Sequence, residues 1–268
     1  MAKQKKGLSS STTRHGDLPG VIPPVSLQQA PPPLPWPQER SMLPAPIGEA
    51  FRQLSQAVHL ERAPNGRPII GVTSGIVGEG KTTVALGLAN TLAATGERPV
   101  ALLEVDFARP ALQERLGLSS QQGLAEWVGG EAALTDVLQR VTEHVYVLPA
   151  GKVSGDPARL VRGLTRTHLL QCLADTGAVL VLDLPPVLAT SYGVLAASLA
   201  DTLLLVVRAG YTTETMVKEV QGRLEGSALC GIVLNTFPSI PLWLREREPP
   251  LHQRPLAWLT KWHARKRR

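Results

Sequence analysis

The sequence predicts an α/β fold in which a mostly parallel sheet is covered by helices on both faces, and three observations predict it. Apolar runs of strand length recur at 68–74, 99–104, 145–149, 178–182, 203–207 and 230–234. Stretches with helical spacing lie between them, near 83–92, 109–117, 132–141, 157–174, 190–199 and 212–225. Continuous apolar strands alternating with helices are the pattern of parallel strands buried on both faces. The third observation is a glycine-rich loop at residues 75–82, set between the first strand and the first of those helices. In such a sheet, ligands bind outside the carboxyl ends of the strands.

Ahead of that sheet, residues 1–46 form a Pro- and Ser-rich arm centred on Pro31-Pro32-Pro33-Leu34-Pro35-Trp36-Pro37. Such a segment buries too little apolar surface to offset its ordering entropy, so it is expected to be disordered with a polyproline II stretch. It serves as a linker or docks a partner. Residues 47–60 follow as a helix, with Phe51, Leu54 and Val58 at helical spacing.

The loop reads Gly75-Ile76-Val77-Gly78-Glu79-Gly80-Lys81-Thr82 and matches G-x-x-x-x-G-K-[ST] at every fixed position. Gly75, Gly78 and Gly80 let the backbone curl so that its N–H groups converge on an anion, and the helix N-terminus adds partial positive charge. Lys81 then reaches β- and γ-phosphates, and Thr82 offers a hydroxyl to Mg²⁺. A bland glycine turn beside a lysine would not need the strand before it and the helix after it. The ligand is therefore a nucleoside triphosphate.

Two acidic sites fall at strand ends. Asp183 closes the run Val179-Leu180-Val181-Leu182, as a Walker B carboxylate does when it holds Mg²⁺. A simple strand-end turn is the alternative. Glu104-Val105-Asp106 ends the strand after the loop's own helix. Residues two apart on an extended chain point the same way, so one carboxylate holds the metal while the other accepts a proton from an attacking hydroxyl or water. Two solvated loop acids are the alternative there.

At 268 residues with a formal net charge of +6, the chain has room for one sizeable domain plus tails. The charge is uneven: residues 1–48 hold five basic against two acidic residues, and residues 245–268 hold eight against two. The middle is then mildly acidic, which argues against a nucleic-acid face on the folded part and for tails that touch something anionic. Cys172 and Cys230 have no metal or redox spacing and read as ordinary core residues of a protein in a reducing cytoplasm. No run of 18 apolar residues occurs, and no apolar run follows the lysines near the start, so neither a transmembrane helix nor a secretory leader is expected.

With these residues in place, the chain resembles the bacterial tyrosine kinases of capsule and exopolysaccharide biosynthesis. These are deviant-Walker P-loop ATPases related to the Min and Par proteins. The resemblance spans about 49–237. Thr73 to Thr83 is similar to the family's T-S-x-x-P-G-E-G-K-[ST]-T loop, and Glu104-Val105-Asp106-Phe107-Ala108-Arg109-Pro110 to D-x-D-x-R-R-P. Leu182 to Leu188 resembles D-T-P-P-V-L, Ala200 to Thr212 resembles A-D-x-x-L-L-V-V-R-x-G-x-T, and Gly231 to Asn235 resembles G-V-V-L-N. Glu49-Ala50-Phe51-Arg52 resembles the start of E-A-Y-R-x-L-R, linked to ring assembly.

The departures are specific. Ile76 stands where partitioning ATPases carry a signature lysine, which favours the kinase branch. Glu104 replaces an Asp, Ala108 an Arg, Val77 a Pro and Ser55 an Arg. Leu184 replaces a Thr, which would remove a hydroxyl beside the metal. The family's C-terminal tyrosine cluster is missing: only Tyr146, Tyr192 and Tyr211 exist.

The resemblance implies a three-layer P-loop fold over residues 47–240, using ATP and Mg²⁺. Implied as nucleotide-binding are Gly75, Gly78, Glu79, Gly80, Lys81, Thr82, Thr83 and Asn235, the last at adenine. The metal falls to Thr82, Asp106 and Asp183, and catalysis to Lys81, Glu104, Asp106 and Asp183. The implied activity is protein-tyrosine phosphorylation that regulates exopolysaccharide or capsule polymerisation or export. The implied partner is a membrane polysaccharide co-polymerase-type adaptor in trans, with homo-oligomers also in view. An ATP-switched scaffold, or a membrane-organising ATPase without kinase activity, stays open beside it. The tail, 241–268, carries Trp258, Leu259 and Trp262 on one helical face with cations beside them. That resembles an interfacial anchor at 255–268 on anionic lipid, with a disordered basic tail as the alternative. A cytoplasmic protein, peripheral at the inner face of the plasma membrane, is the resulting expectation.

Overall fold

The apolar runs do form strands. The computed structural model describes residues 45–58, 69–95, 98–118 and 120–235. Within them lie β1 (Ile69–Ser74), β2 (Val100–Glu104), β3 (Gln139–Arg140), β4 (Val145–Leu148), β5 (Val179–Asp183), β6 (Thr202–Arg208) and β7 (Leu229–Asn235). They form one sheet in the order β3-β4-β2-β5-β1-β6-β7. Only β3 runs antiparallel; every other pairing is parallel. The connection from β1 runs to β2 on one side, and the connection from β5 crosses to β6 on the other, so the winding direction switches around β1 and a crevice opens beyond its carboxyl end.

Helices α1 (Ala45–Ala57), α2 (Lys81–Thr95), α3 (Leu112–Leu116), α4 (Leu124–Gly129), α5 (Leu134–Val137), α6 (Pro157–Arg166), α7 (Leu169–Asp175), α8 (Gly193–Ala197) and α9 (Glu214–Arg223) complete the described part. Side chains alternate between two cores, one per sheet face. Val72, Leu102, Val181 and Val206 face α1, α2 and α3, while Leu103, Leu148, Leu182 and Leu205 face the other side with α4 to α9. The expected three-layer α/β architecture is therefore present. The α1 helix docks on α2 through Phe51, whose ring lies over Gly87; a Cβ there would come within 2.2 Å of it.

Some boundaries differ from the sequence expectation. The helix expected at 109–117 is only Leu112–Leu116, stopped by left-handed Gly117 (φ 63°). The stretch 132–141 divides into α5 and the short edge strand β3, which a two-residue pattern could not announce. The long helix expected at 157–174 breaks at Thr167–His168, where His168 takes φ 52°. Asp156 caps α6 by accepting from the Ala158 N–H, with Pro157 at its first turn. The unexpected α4 starts at Gly123, whose N–H donates to Glu126. Cys172 and Cys230 are free and half-buried rather than core residues. Among the described residues no helix is long and apolar enough to cross a membrane. The arm expected at 1–46, apart from the start of α1, and the tail at 241–268 lie outside the described residues.

Candidate functional site

β1 delivers the chain into the loop, and α2 begins at Lys81. The loop turns back on itself through Gly78 (φ 85°) and Gly80 (φ 95°), conformations that a side chain would strain. Its curvature is held from inside by Glu79, which is fully buried. One Glu79 oxygen accepts the Ile76 N–H at 2.7 Å, and the other accepts the Thr212 hydroxyl. Thr212 is itself held by the Arg208 N–H at 3.0 Å. From the end of β7, the Asn235 amide donates to the Glu79 carbonyl at 2.9 Å. Glu79 and Asn235 were both expected to hold the nucleotide. Here the Glu79 carboxylate and the Asn235 amide nitrogen are bonded to the loop itself. Thr83, also expected there, is exposed and accepts from Arg115 at 3.1 Å.

The chain after β5 forms the second wall. The Ser74 and Gly75 carbonyls accept from the Val187 and Leu188 N–H groups at 2.8 and 2.9 Å. The Thr73 hydroxyl donates to the Pro185 carbonyl at 2.8 Å. Leu184 does not stand beside the acidic centre. Its side chain is buried in the opposite core, against Gly71, where an added Cβ would lie 2.6 Å from the leucine methyl. The hydroxyl-for-leucine exchange therefore falls on the far face of the sheet from Asp183, as strand alternation dictates.

The charged centre sits at the carboxyl ends of β2 and β5, where Glu104 and Asp183 are register partners. The Lys81 ammonium lies 2.7 Å from Asp106 and 3.5 Å from Asp183. It also approaches the Thr82 hydroxyl at 3.4 Å. Asp106 Oδ1 and Asp183 Oδ2 are buried and have no hydrogen-bond partner. Glu104 differs. One of its oxygens accepts the Ala111 and Leu112 N–H groups, and the other accepts Ala150 N–H at 3.0 Å. The expectation that Glu104 relays a proton meets a carboxylate that already accepts three backbone N–H groups. It ties the turn before α3 to the segment after β4.

Three carboxylates around one ammonium leave the cluster negative. Burial first, then the charges of Glu104 and Asp106, push Asp183 up to about 6 against the pull of Lys81. For Lys81, burial works downward, but Asp183 and Asp106 outweigh it and hold the ammonium above its ordinary value. Two unpartnered carboxylate oxygens and a hydroxyl are hard donors and fit Mg²⁺. Among the described residues no group of three or more His, Cys, Asp or Glu is placed to hold a metal ion.

Two supporting residues were not singled out from sequence. Thr212 locks Glu79; its signal was its place in the R-x-G-x-T segment. Tyr192 accepts the Ala108 N–H at 3.0 Å beside Asp106. Burial first, with Asp106 adding to it against the Ala108 N–H, pushes the Tyr192 phenol up to about 12. Nothing in the sequence marked it.

No protein-family model matches the chain. Individual proteins do. AmsA of Erwinia amylovora, provisionally named a tyrosine-protein kinase, is 31% identical over 193 residues, covering 70% of this chain and 26% of its own. The chain spans about a quarter of the length of the first curated relatives it matches. The kinase domain of the Escherichia coli tyrosine kinase ETK superposes with a TM-score of 0.65 at 28% identity, covering 70% of this chain and 75% of that one. The cell-division ATPase MinD of Pyrococcus furiosus gives 0.53 at 28% identity, covering 63% and 72%.

Proposed function

The chain belongs to the bacterial tyrosine-kinase family within the P-loop ATPases, and we propose that it binds Mg-ATP in the crevice above β1 and transfers the γ-phosphoryl group to tyrosine. The observation that carries this reading is Lys81, held by Asp106 at 2.7 Å and Asp183 at 3.5 Å beneath a preformed glycine loop.

The chemistry follows from that arrangement. Without nucleotide, Lys81 partly neutralises a buried carboxylate cluster. Phosphate oxygens in the loop offer the ammonium a competing anion, so Lys81 moves to the β- and γ-phosphates and releases both carboxylates. Thr82 and Asp183 would then hold Mg²⁺, which supplies charge neutralisation on the phosphates. Asp106, freed of Lys81, accepts the proton of the attacking hydroxyl. Gly75, Gly78 and Gly80 shape the cradle of backbone N–H groups. Glu79, Asn235 and Thr212 keep it curled, and Thr83 lies at its rim. Glu104 fixes the turn that presents Asp106.

Carried from the resemblance alone, the role is control of exopolysaccharide or capsule polymerisation or export. The partner is a membrane co-polymerase-type adaptor, and the place is the inner face of the membrane. A second reading keeps ATP but drops tyrosine transfer, making the chain a nucleotide-switched scaffold. The burial of Tyr146 and Tyr192, at 5% and 4% exposure, favours it, because those two cannot accept phosphate while folded. The two readings part in one assay: purified full chain, Mg-ATP and a Glu/Tyr copolymer. Labelled copolymer supports the kinase. Free phosphate without labelled tyrosine supports the switch.

A further inference from the structure

Transfer of a phosphoryl group to tyrosine needs an acceptor, and the chain offers three tyrosines. Their exposures separate them. Tyr146 lies within β4 at 5% and Tyr192 beneath the Asp106 turn at 4%, whereas Tyr211 stands 56% exposed. Tyr146 belongs to the apolar core, and the Tyr192 hydroxyl is held inside by the Ala108 N–H, which it accepts. A phenol must present its oxygen in line with the γ-phosphorus, so a buried ring reacts only after local unfolding.

Tyr211 is also fixed in place. The Tyr211 and Thr212 N–H groups both donate to the Arg208 carbonyl, at 3.2 and 3.0 Å, around left-handed Gly210 (φ 73°). The Arg208 guanidinium lies 5.1 Å from the ring centroid, which orders the ring while leaving much of it in solvent. The next residue, Thr212, is bonded to Glu79 of the phosphate loop. Tyr211 is thus a rigidly mounted phenol on the rim of the nucleotide crevice, facing outward while Asp106 lies within at 1% exposure.

On the reading of the chain as a tyrosine kinase, we infer that Tyr211 is the chain's own phosphorylation site, presented to the ATP site of a second copy. The Tyr211 oxygen forms a bond to the γ-phosphorus of ATP bound in that copy. The bond from the γ-phosphorus to the β,γ-bridging oxygen breaks, and ADP leaves with the electron pair. The phenolic proton passes to Asp106 of the copy that holds ATP. The product adds close to two negative charges beside Arg208 and next to the Thr212–Glu79 bond.

Three proteins test this: the full chain, Tyr211→Phe and Lys81→Met, each incubated with Mg-ATP, with the Glu/Tyr copolymer as a separate acceptor. Trypsin cuts after Arg208 and Lys218, so the peptide 209–218 carries Tyr211, and fragmentation separates it from Thr212, Thr213 and Thr215. Phosphotyrosine is expected at Tyr211 in the full chain. Tyr211→Phe should retain less than a tenth of that self-labelling while still labelling the copolymer. Lys81→Met alone should stay unlabelled, then gain label at Tyr211 when mixed with Tyr211→Phe. Copolymer labelled without Tyr211, or self-labelling unchanged in Tyr211→Phe, overturns the assignment and leaves the kinase reading standing. Failure of the mixture, with the wild type labelled, overturns delivery by a second copy. If neither copolymer nor chain is labelled, the kinase reading falls and the assignment falls with it.

Discussion

Replacing Glu104 with Gln separates a structural carboxylate from a proton acceptor. Glu104 is fully buried, and its two oxygens receive the N–H groups of Ala111, Leu112 and Ala150. Glutamine keeps one carbonyl oxygen, so it can serve Ala111 and Leu112 or Ala150, not both. Its amide then points N–H at N–H on the unserved side. A lost charge-assisted bond costs about 1.5–3 kcal/mol, and a stranded buried donor about 1–3 kcal/mol. Removing one of three neighbouring carboxylate charges offsets part of this, since Glu104 raises the proton affinity of Asp183. A net loss of about 3 kcal/mol lowers Tm by roughly 6–12 °C in a chain of this size. Thermal unfolding by circular dichroism reads the shift, and phosphate release at 25 °C reads turnover. Turnover within about threefold of wild type is expected alongside the lower Tm. An unchanged Tm with turnover down 100-fold, the scale of a lost general base, would show that Glu104 handles the proton.

Four further outcomes are expected. In Gly80→Ala the new methyl would approach the Asn235 amide to 2.2 Å at a φ of 95°, so nucleotide affinity should fall at least tenfold by fluorescent-nucleotide titration. Asp183 holds more protons folded than unfolded between its ordinary 3.8 and about 6, so its contribution to stability is greatest below that range and declines as pH rises through it. Asp183→Asn should therefore gain on wild type in Tm between pH 4 and 6, and the Mg²⁺ dependence of wild-type ATP affinity should weaken below pH 6. Gly87→Val drives a side chain into the Phe51 ring and should release α1, read as faster amide exchange over 45–57. His168→Gly relieves the left-handed strain between α6 and α7 and should raise stability by about 1 kcal/mol, measured by urea unfolding.

The sequence made the sheet legible because β2, β5 and β6 are buried on both faces and had to be continuous apolar runs. The loop was legible because its glycines and Lys81 are demanded by backbone shape and phosphate charge. What stayed hidden depends on contacts distant along the chain. Glu79 is joined to Thr212 and Asn235 across more than 130 residues. Spacing cannot show that its carboxylate is turned inward. Glu104 has the charge and position expected of a catalytic proton acceptor, yet three backbone donors from two separate segments claim it. Leu184 follows a site residue in sequence and faces the opposite core in space. His168 broke an otherwise continuous helical pattern through one backbone angle.

The account rests on Lys81 changing partners from the Asp106–Asp183 pair to the phosphates of Mg-ATP. The most direct measurement is transfer of the γ-phosphate from labelled ATP by the purified full chain, followed with Mg²⁺, with EDTA, and in Lys81→Met. Label on tyrosine that requires Mg²⁺ and disappears in Lys81→Met is the expected result. ATP that binds equally well to both proteins, with no γ-phosphate transferred or released by either, would contradict it.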